Sequence, residues 1–248
     1  DLHLSIRRQR LMCIRDSHLS RDNVALTRGF LSFLDNNKDS LDQLYILGDL
    51  FEIWIGDDDQ SDFIQMVKNA LKQFTKLGIE TFFLHGNRDF LIGDDFIEDT
   101  GLKFIPDPFI FEIFGKRCAV SHGDDFCTLD IEYHNFKKNV RSSQWKNEFL
   151  SQSLQKRNEV ASGMRETSKK KSSNKNVNIM DVEISSVENF LSETNVDILI
   201  HGHTHKPQIH NHKINNRHCE RIVLGDWDDN GWYLRLDSKG HTLEKFKL

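Results

Sequence analysis

Five short apolar runs in this chain each stop at a residue able to hold a metal ion. In chain order, Leu11–Ile14 leads to Asp16 and His18, Leu44–Leu47 to Asp49, and Thr81–Leu84 to Asn87. Arg117–Val120 then leads to His122, and Ile198–Ile200 runs straight into His201-Gly202-His203. Short apolar runs bounded by turn residues read as buried strands, and α/β proteins bind ligands beyond the carboxyl ends of their strands. The pattern predicts that these seven side chains, two Asp, one Asn and four His, meet at the same edge of a sheet, with Gly202 allowing close backbone approach. A single Asp-x-His or Gly-Asp is usually a turn or a helix cap. Its recurrence in order along the chain points to a site.

With 248 residues, 38% of them hydrophobic, the chain can bury a full core, as one large domain or one domain with an insertion. The net charge is −5, and no window of 18 or more residues is apolar enough to span a bilayer, so a soluble protein is expected. Cys13, Cys118, Cys127 and Cys219 form neither a CxxC pair nor a disulfide scaffold, and read as reduced thiols of a cytoplasmic protein. No nucleic-acid partner is expected, and the chain is expected to be monomeric.

Asp1-Leu-His3-Leu-Ser5 is echoed by Asp16-Ser-His18-Leu-Ser20, but only the second copy follows an apolar run. Asp16 and His18 are therefore the candidates, and residues 1–10 read as a disordered or foreign extension. Leu26, Phe30 and Leu34 share one face of a helix over Asp22–Leu34, with Ser20 or Asp22 as its N-cap. A second helix is predicted over Asp62–Lys76, stopped by Gly78, and a hairpin turns at Gly115-Lys116. From about 125 to 178 the chain changes character: between Lys137 and Lys175 there are eleven Lys or Arg against three Glu. Tyr133, Phe136, Val140, Trp145, Phe149, Leu150 and Leu154 are spaced for amphipathic helices. This stretch reads as a helical lid over the site, ending in a polar loop, Ser168–Lys175. After a helix around Val187–Leu191 and the His201 strand, Gln208–Leu248 reads as antiparallel strands closing one sheet.

Seven mixed imidazole, amide and carboxylate ligands exceed what one Zn²⁺ takes and suit two divalent ions. Two ions roughly 3.5–4 Å apart stabilise the attacking and leaving oxygens of an in-line displacement, so hydrolysis of a phosphate ester or anhydride is expected.

The ordered set Asp16-x-His18, Gly48-Asp49, Gly86-Asn87-Arg88-Asp89, His122-Gly123 and Gly202-His203-Thr204-His205 resembles the calcineurin-like metallophosphoesterases. Within them, the stretches Gly48–Asp59, His85–Leu91, Ile179–Val182 and His201–Pro207 are similar to the UDP-2,3-diacylglucosamine diphosphatase family of lipid A biosynthesis. The resemblance covers residues 11–248 and implies a four-layered β-sandwich flanked by helices, a single domain with a helical lid. It implies two divalent ions, Mn²⁺, one held by Asp16, His18, Asp49 and His203 and the other by Asp49, Asn87, His122 and His201. Asp49 bridges, and Asp49, Asn87, Arg88 and His122 carry catalysis.

The substrate implied is an acylated UDP-sugar, cleaved by water attack at the α-phosphorus to give UMP and 2,3-diacylglucosamine 1-phosphate. It would be contacted by Asn87, Arg88, Asp130, Ser168, Ser172, Lys175 and His201. Arg88 stands where many relatives have a proton-donating histidine; its fixed charge suits a phosphate oxygen instead. A diphosphate leaving group is already a good anion and needs no strong acid. Lys169-Lys170-Lys171 could attract the anionic inner leaflet, giving a peripheral protein on the cytoplasmic face of the inner membrane. Two rivals are open at this level: another phosphodiesterase of the superfamily, and a metal-free binding scaffold.

Overall fold

The computed structural model describes residues 10–174 and 179–248. Residues 1–9 of the expected extension, Lys175 and the side chain of Ser172 lie outside the described residues. Arg10 lies within them, and its N–H donates to the Asp42 carboxylate at 2.9 Å.

The first half of the chain alternates strand and helix: β1 (Leu11–Ile14), α1 (Val24–Asn37), β2 (Gln43–Ile46), α2 (Asp62–Lys76), β3 (Glu80–Phe83), α3 (Asp94–Thr100) and β4 (Lys103–Phe104). A hairpin, β5 (Phe109–Ile113) and β6 (Lys116–Val120), is followed by α4 (Ile131–Val140), α5 (Ser143–Leu150) and α6 (Leu154–Asn174). Then come α7 (Ile184–Thr194), β7 (Ile198–His201) and two more hairpins, β8 (Gln208–Ile214) with β9 (Arg217–Val223) and β10 (Asn230–Asp237) with β11 (Gly240–Lys247).

These strands form two sheets, ordered β11-β10-β1-β2-β3-β4 and β5-β6-β7-β9-β8. The inner strands β1, β2 and β3, and likewise β6, β7 and β9, run parallel. Their side chains explain the stacking, because successive residues of a strand face opposite ways. Leu11 and Cys13 of β1 join Cys118, Val120, Ile198 and Ile200 between the sheets. Met12 and Ile14 face the other way, onto Phe30 of α1 and Val67 and Leu71 of α2. Ala119 and Leu199 of the second sheet pack on Val187 and Leu191 of α7. The order helix, sheet, sheet, helix gives the expected four layers. Strands covered on both faces must be apolar throughout, hence the continuous runs.

Four details differ from expectation. The C-terminal strands do not close one sheet: β8 and β9 extend the second sheet, whereas β10 pairs antiparallel with β1 in the first. Asn23, not Ser20 or Asp22, caps α1, its side chain accepting from the Leu26 N–H at 3.3 Å. The β5–β6 turn sits at Phe114-Gly115, both with positive φ (51° and 72°), the geometry that matches strand twist in a two-residue hairpin. Finally, Ser168 to Asn174 is helical and continues α6.

Helices α4 to α6 lie between β6 and β7 in sequence and are tied to the first sheet's loops. Trp145 and Phe149 of α5 stack at 4.8 Å and pack on the first core. Arg141 donates to the Gly86 carbonyl at 2.8 Å, and Arg157 to the Ile55 carbonyl and the Asp58 carboxylate, both at 2.7 Å.

Candidate metal centre

The candidate side chains leave the two sheets from facing edges, not from one. Asp16, Asp49 and Asn87 follow β1, β2 and β3 of the first sheet; His122 and His203 follow β6 and β7 of the second. Among the described residues, Asp16, His18, Asp49, His203 and His205 all have φ between 44° and 67°. Non-glycine residues adopt this left-handed region at a cost, and it persists where surrounding structure enforces it. Elsewhere it occurs at turns and a helix end: Phe114, Asn195, Asn215 and Asn216.

Around His122 the geometry is unusual. Its Nδ1 lies 3.0 Å from the Leu47 carbonyl, which can only accept, so in the neutral ring the proton sits there and Nε2 carries a lone pair. That Nε2 is 2.9 Å from the Asn87 carbonyl oxygen and 4.0 Å from an Asp49 carboxylate oxygen. Three acceptors thus converge on one point, an arrangement that repels itself until a cation enters. Asp49 is buried, which raises its carboxyl; the charges of His122, His18 and Arg88 and the Arg88 N–H at 2.9 Å overcome this and hold it at about 2. His203 stands beside this group, its ring 5.2 Å from that of His122, and burial followed by the His122 charge pushes its pKa down to about 3.

A second cluster adjoins the first. Donor atoms of Asp16, His18 and His205 lie within 4.8 Å of one another, as do those of Asp16, Asp49 and His122, so Asp16 joins the two. Asp16 is fully buried, and its carboxylate lies against the buried Arg15 guanidinium. His205 brings Nε2 to 3.2 Å from Asp16, while its Nδ1 meets the Asp226 carboxylate at 2.7 Å. Fixing one ring nitrogen with a carboxylate aims the other, as in many metal-bound histidines. His18 faces Glu52 at 3.1 Å, and burial lowers its pKa.

His201 is not brought into either cluster, and His205 is. His201 is the last residue of β7 and obeys the strand's alternation: Ile198 and Ile200 face the inter-sheet core, whereas Leu199 and His201 face the α7 side. There it is fully buried, with Nδ1 3.0 Å from its neighbour's carbonyl, Nε2 3.4 Å from Arg221, and its ring 5.8 Å from Phe126. It has no surface to offer a substrate. Beyond the strand end the pleat no longer constrains the chain, and His203 and His205, two residues apart, both turn inward. That spacing was the available signal for His205.

Glu52, also missed, ties the site together. It accepts from Arg88 at 3.0 Å, contacts Arg165 of α6, and faces His18. Burial raises its carboxyl, but His18, Arg88 and Arg165 bring it down to about 2. Asp89 accepts N–H groups of Leu50 and Gly86 at 2.7 and 2.8 Å, pinning two strand-end loops; burial and the nearby Asp49 charge raise its pKa to about 7. Asp124 accepts from the Tyr133 hydroxyl and from Lys137, the latter at 2.9 Å. Asp130 caps α4, accepting from the Tyr133 N–H at 3.0 Å, and Ser168 is exposed on α6. Arg15, fully buried, lies beside Asp16; burial lowers its pKa to about 9, so it stays charged at neutral pH.

A sequence profile described as calcineurin-like phosphoesterase matches residues 1–207. The chain belongs to that family. Three similar proteins are named UDP-2,3-diacylglucosamine hydrolase. That of Marinobacter nauticus is 42% identical over 89% of this chain and 91% of its own length. That of Stenotrophomonas maltophilia is 42% identical over 93% and 96%, and that of Photobacterium profundum 40% over 93% and 94%. This metallophosphoesterase is therefore a metal-dependent hydrolase, and its donor sets fit divalent ions. No helix among the described residues is long and apolar enough to cross a membrane.

Proposed function

We propose that this metallophosphoesterase hydrolyses the diphosphate of UDP-2,3-diacylglucosamine, with water attacking the α-phosphorus to release UMP and 2,3-diacylglucosamine 1-phosphate. The observation that carries the chemistry is the convergence of Asp49, Asn87 and His122 acceptors on one point; the names of the relatives suggest the substrate. One divalent ion would be held by Asp16, His18, His205 and Asp49, and the other by Asp49, Asn87, His122 and His203, with Mn²⁺ the proposed metal. When bound, such ions polarise phosphoryl oxygens and acidify water near neutral pH.

The chain's own residues do the rest. Glu52 holds the Arg88 guanidinium at the rim of the site, where its fixed charge meets the phosphate and the negative charge that develops on it. Asn87 stands beside it. Asp130, Ser168, Ser172 and Lys175 remain the proposed substrate contacts of the lid, which would exclude water and shelter the acyl chains. Exposed Leu129, Ile131 and Phe136 near α4 supply apolar surface for them. With Lys169, Lys170 and Lys171 on α6, the same face would dock peripherally on an anionic inner membrane, with the protein monomeric in the cytoplasm. Flotation with anionic vesicles at low salt tests this docking; a protein that stays at the bottom of the gradient counts against it.

The regiochemistry is tested by turnover in ¹⁸O-labelled water. Label is expected in UMP, and label in the sugar phosphate would mean that the other phosphorus is attacked.

A further inference from the structure

We propose that Arg15 is a built-in cation that competes with one of the two metal ions, so that the centre loads unequally. The ion at Asp49, Asn87, His122 and His203 is held firmly, and the ion at Asp16, His18 and His205 weakly. The inference rests on the ligand sets proposed above.

Arg15 is fully buried and contacts the Asp16 carboxylate through Nη2. Nη1 donates to the Leu224 carbonyl at 3.3 Å, so Nη2 is the atom that meets the carboxylate. The guanidinium therefore faces the lone pairs that a divalent ion would need. It also lies in the field of Asp49 and Asp226, the latter being the carboxylate that orients His205.

The backbone on either side of Arg15 is pinned. The Ile14 carbonyl accepts from the Leu47 N–H at 2.9 Å, and the Asp16 N–H donates to the Gly48 carbonyl at 3.2 Å. The Asp16 carbonyl accepts in turn from the Trp227 N–H at 3.1 Å. The stem runs across Gly202, where any Cβ would collide with the Arg15 δ-carbon and guanidinium. Gly202 thus makes room for a side chain, not for a backbone.

The other half has a cation too, Arg88, but its Nε stands off at 3.7 Å from Asp49 and its Nη1 is drawn to Glu52 at 3.0 Å. Arg15 has no such second partner among the ion pairs of the described residues. A unit charge about 4 Å from a divalent ion, even with water-like screening, weakens its binding by roughly thirtyfold.

The test is Mn²⁺ titration of metal-free wild-type protein and Arg15→Ser, with free Mn²⁺ read by electron paramagnetic resonance and retained metal by mass spectrometry after desalting. Wild type is expected to keep one ion per chain and Arg15→Ser two, the second bound at least about thirtyfold more tightly than in wild type. His205→Ala should leave the retained ion in place and His122→Ala should remove it, which tests the inequality even where Arg15→Ser does not fold. Two equally tight ions in wild type, or an Arg15→Ser titration identical to wild type, overturns the inference and leaves the ligand sets standing. Loss of the retained ion in His205→Ala but not in His122→Ala also overturns it. No Mn²⁺ bound by either protein overturns the ligand sets and the inference together.

Discussion

Around His122, three acceptors from two different sheets converge, with the Arg88 guanidinium 3.7 Å from Asp49 and held by Glu52; around Asp16, two histidines converge on a carboxylate that already touches a buried guanidinium. The two regions use the same residue types at the ends of the same kind of strand, and both are held by left-handed backbone. They differ in what lies behind the ligands. His122 is aimed by a backbone carbonyl, which fixes its tautomer and adds no charge. His205 is aimed by Asp226, while Arg15 offsets the negative charge that this carboxylate brings. Under the loading proposed above, ligand identity alone does not set how tightly each half holds its ion; the charge of the surrounding groups enters too.

The largest expected effect comes from the residue central to the firm half. Asp49→Ala should reduce turnover by roughly a thousandfold or more while circular dichroism shows the fold retained. Substantial activity in a folded variant would break the comparison at its root. Next, His205→Ala and His201→Ala should separate cleanly. The first should lower kcat/KM by on the order of a hundredfold with little change in Tm. The second should leave Arg221 facing a cavity and cost about 1–3 kcal/mol of stability in denaturant unfolding, with the folded fraction still active. The opposite pattern would return His201 to the centre.

The smallest effect concerns the link between the halves. Glu52→Gln should raise KM and lower kcat by roughly tenfold in total, because Arg88 loses its anchor. Its stability cost has a defined pH window. The Glu52 carboxyl sits at about 2 in the folded state against an ordinary 4.5, so its contribution is present above pH 4.5 and is lost as pH falls towards 2. Wild type should exceed Glu52→Gln by on the order of 1 kcal/mol at neutral pH, discounted for partial exposure, and the gap should close in acid. A gap independent of pH would mean that Glu52 acts through packing and not through charge.

The continuous apolar runs determined the strands, because strands covered on both faces tolerate nothing else. The turn residues after them determined where ligands could emerge. Asp16, His18, Asp49, Asn87 and His122 could be picked out as candidates for that reason, and the fold places them after strand ends; the helix over Asp62–Lys76 was legible too. Which histidines of His201-Gly-His203-Thr-His205 turn inward was not legible, because it depends on where β7 stops: one more strand residue puts His201 under the pleat and passes its place to those beyond. The division of the last four strands between two sheets was likewise decided by pairing between distant segments, β10 with β1 and β9 with β7. Arg15 carries the same lesson in its strongest form. In sequence it is one arginine among several near the N-terminus; only the closing of the two sheets over Gly202 places its charge beside Asp16. Local sequence sets the supply of ligands, and long-range packing sets the electric field in which they bind.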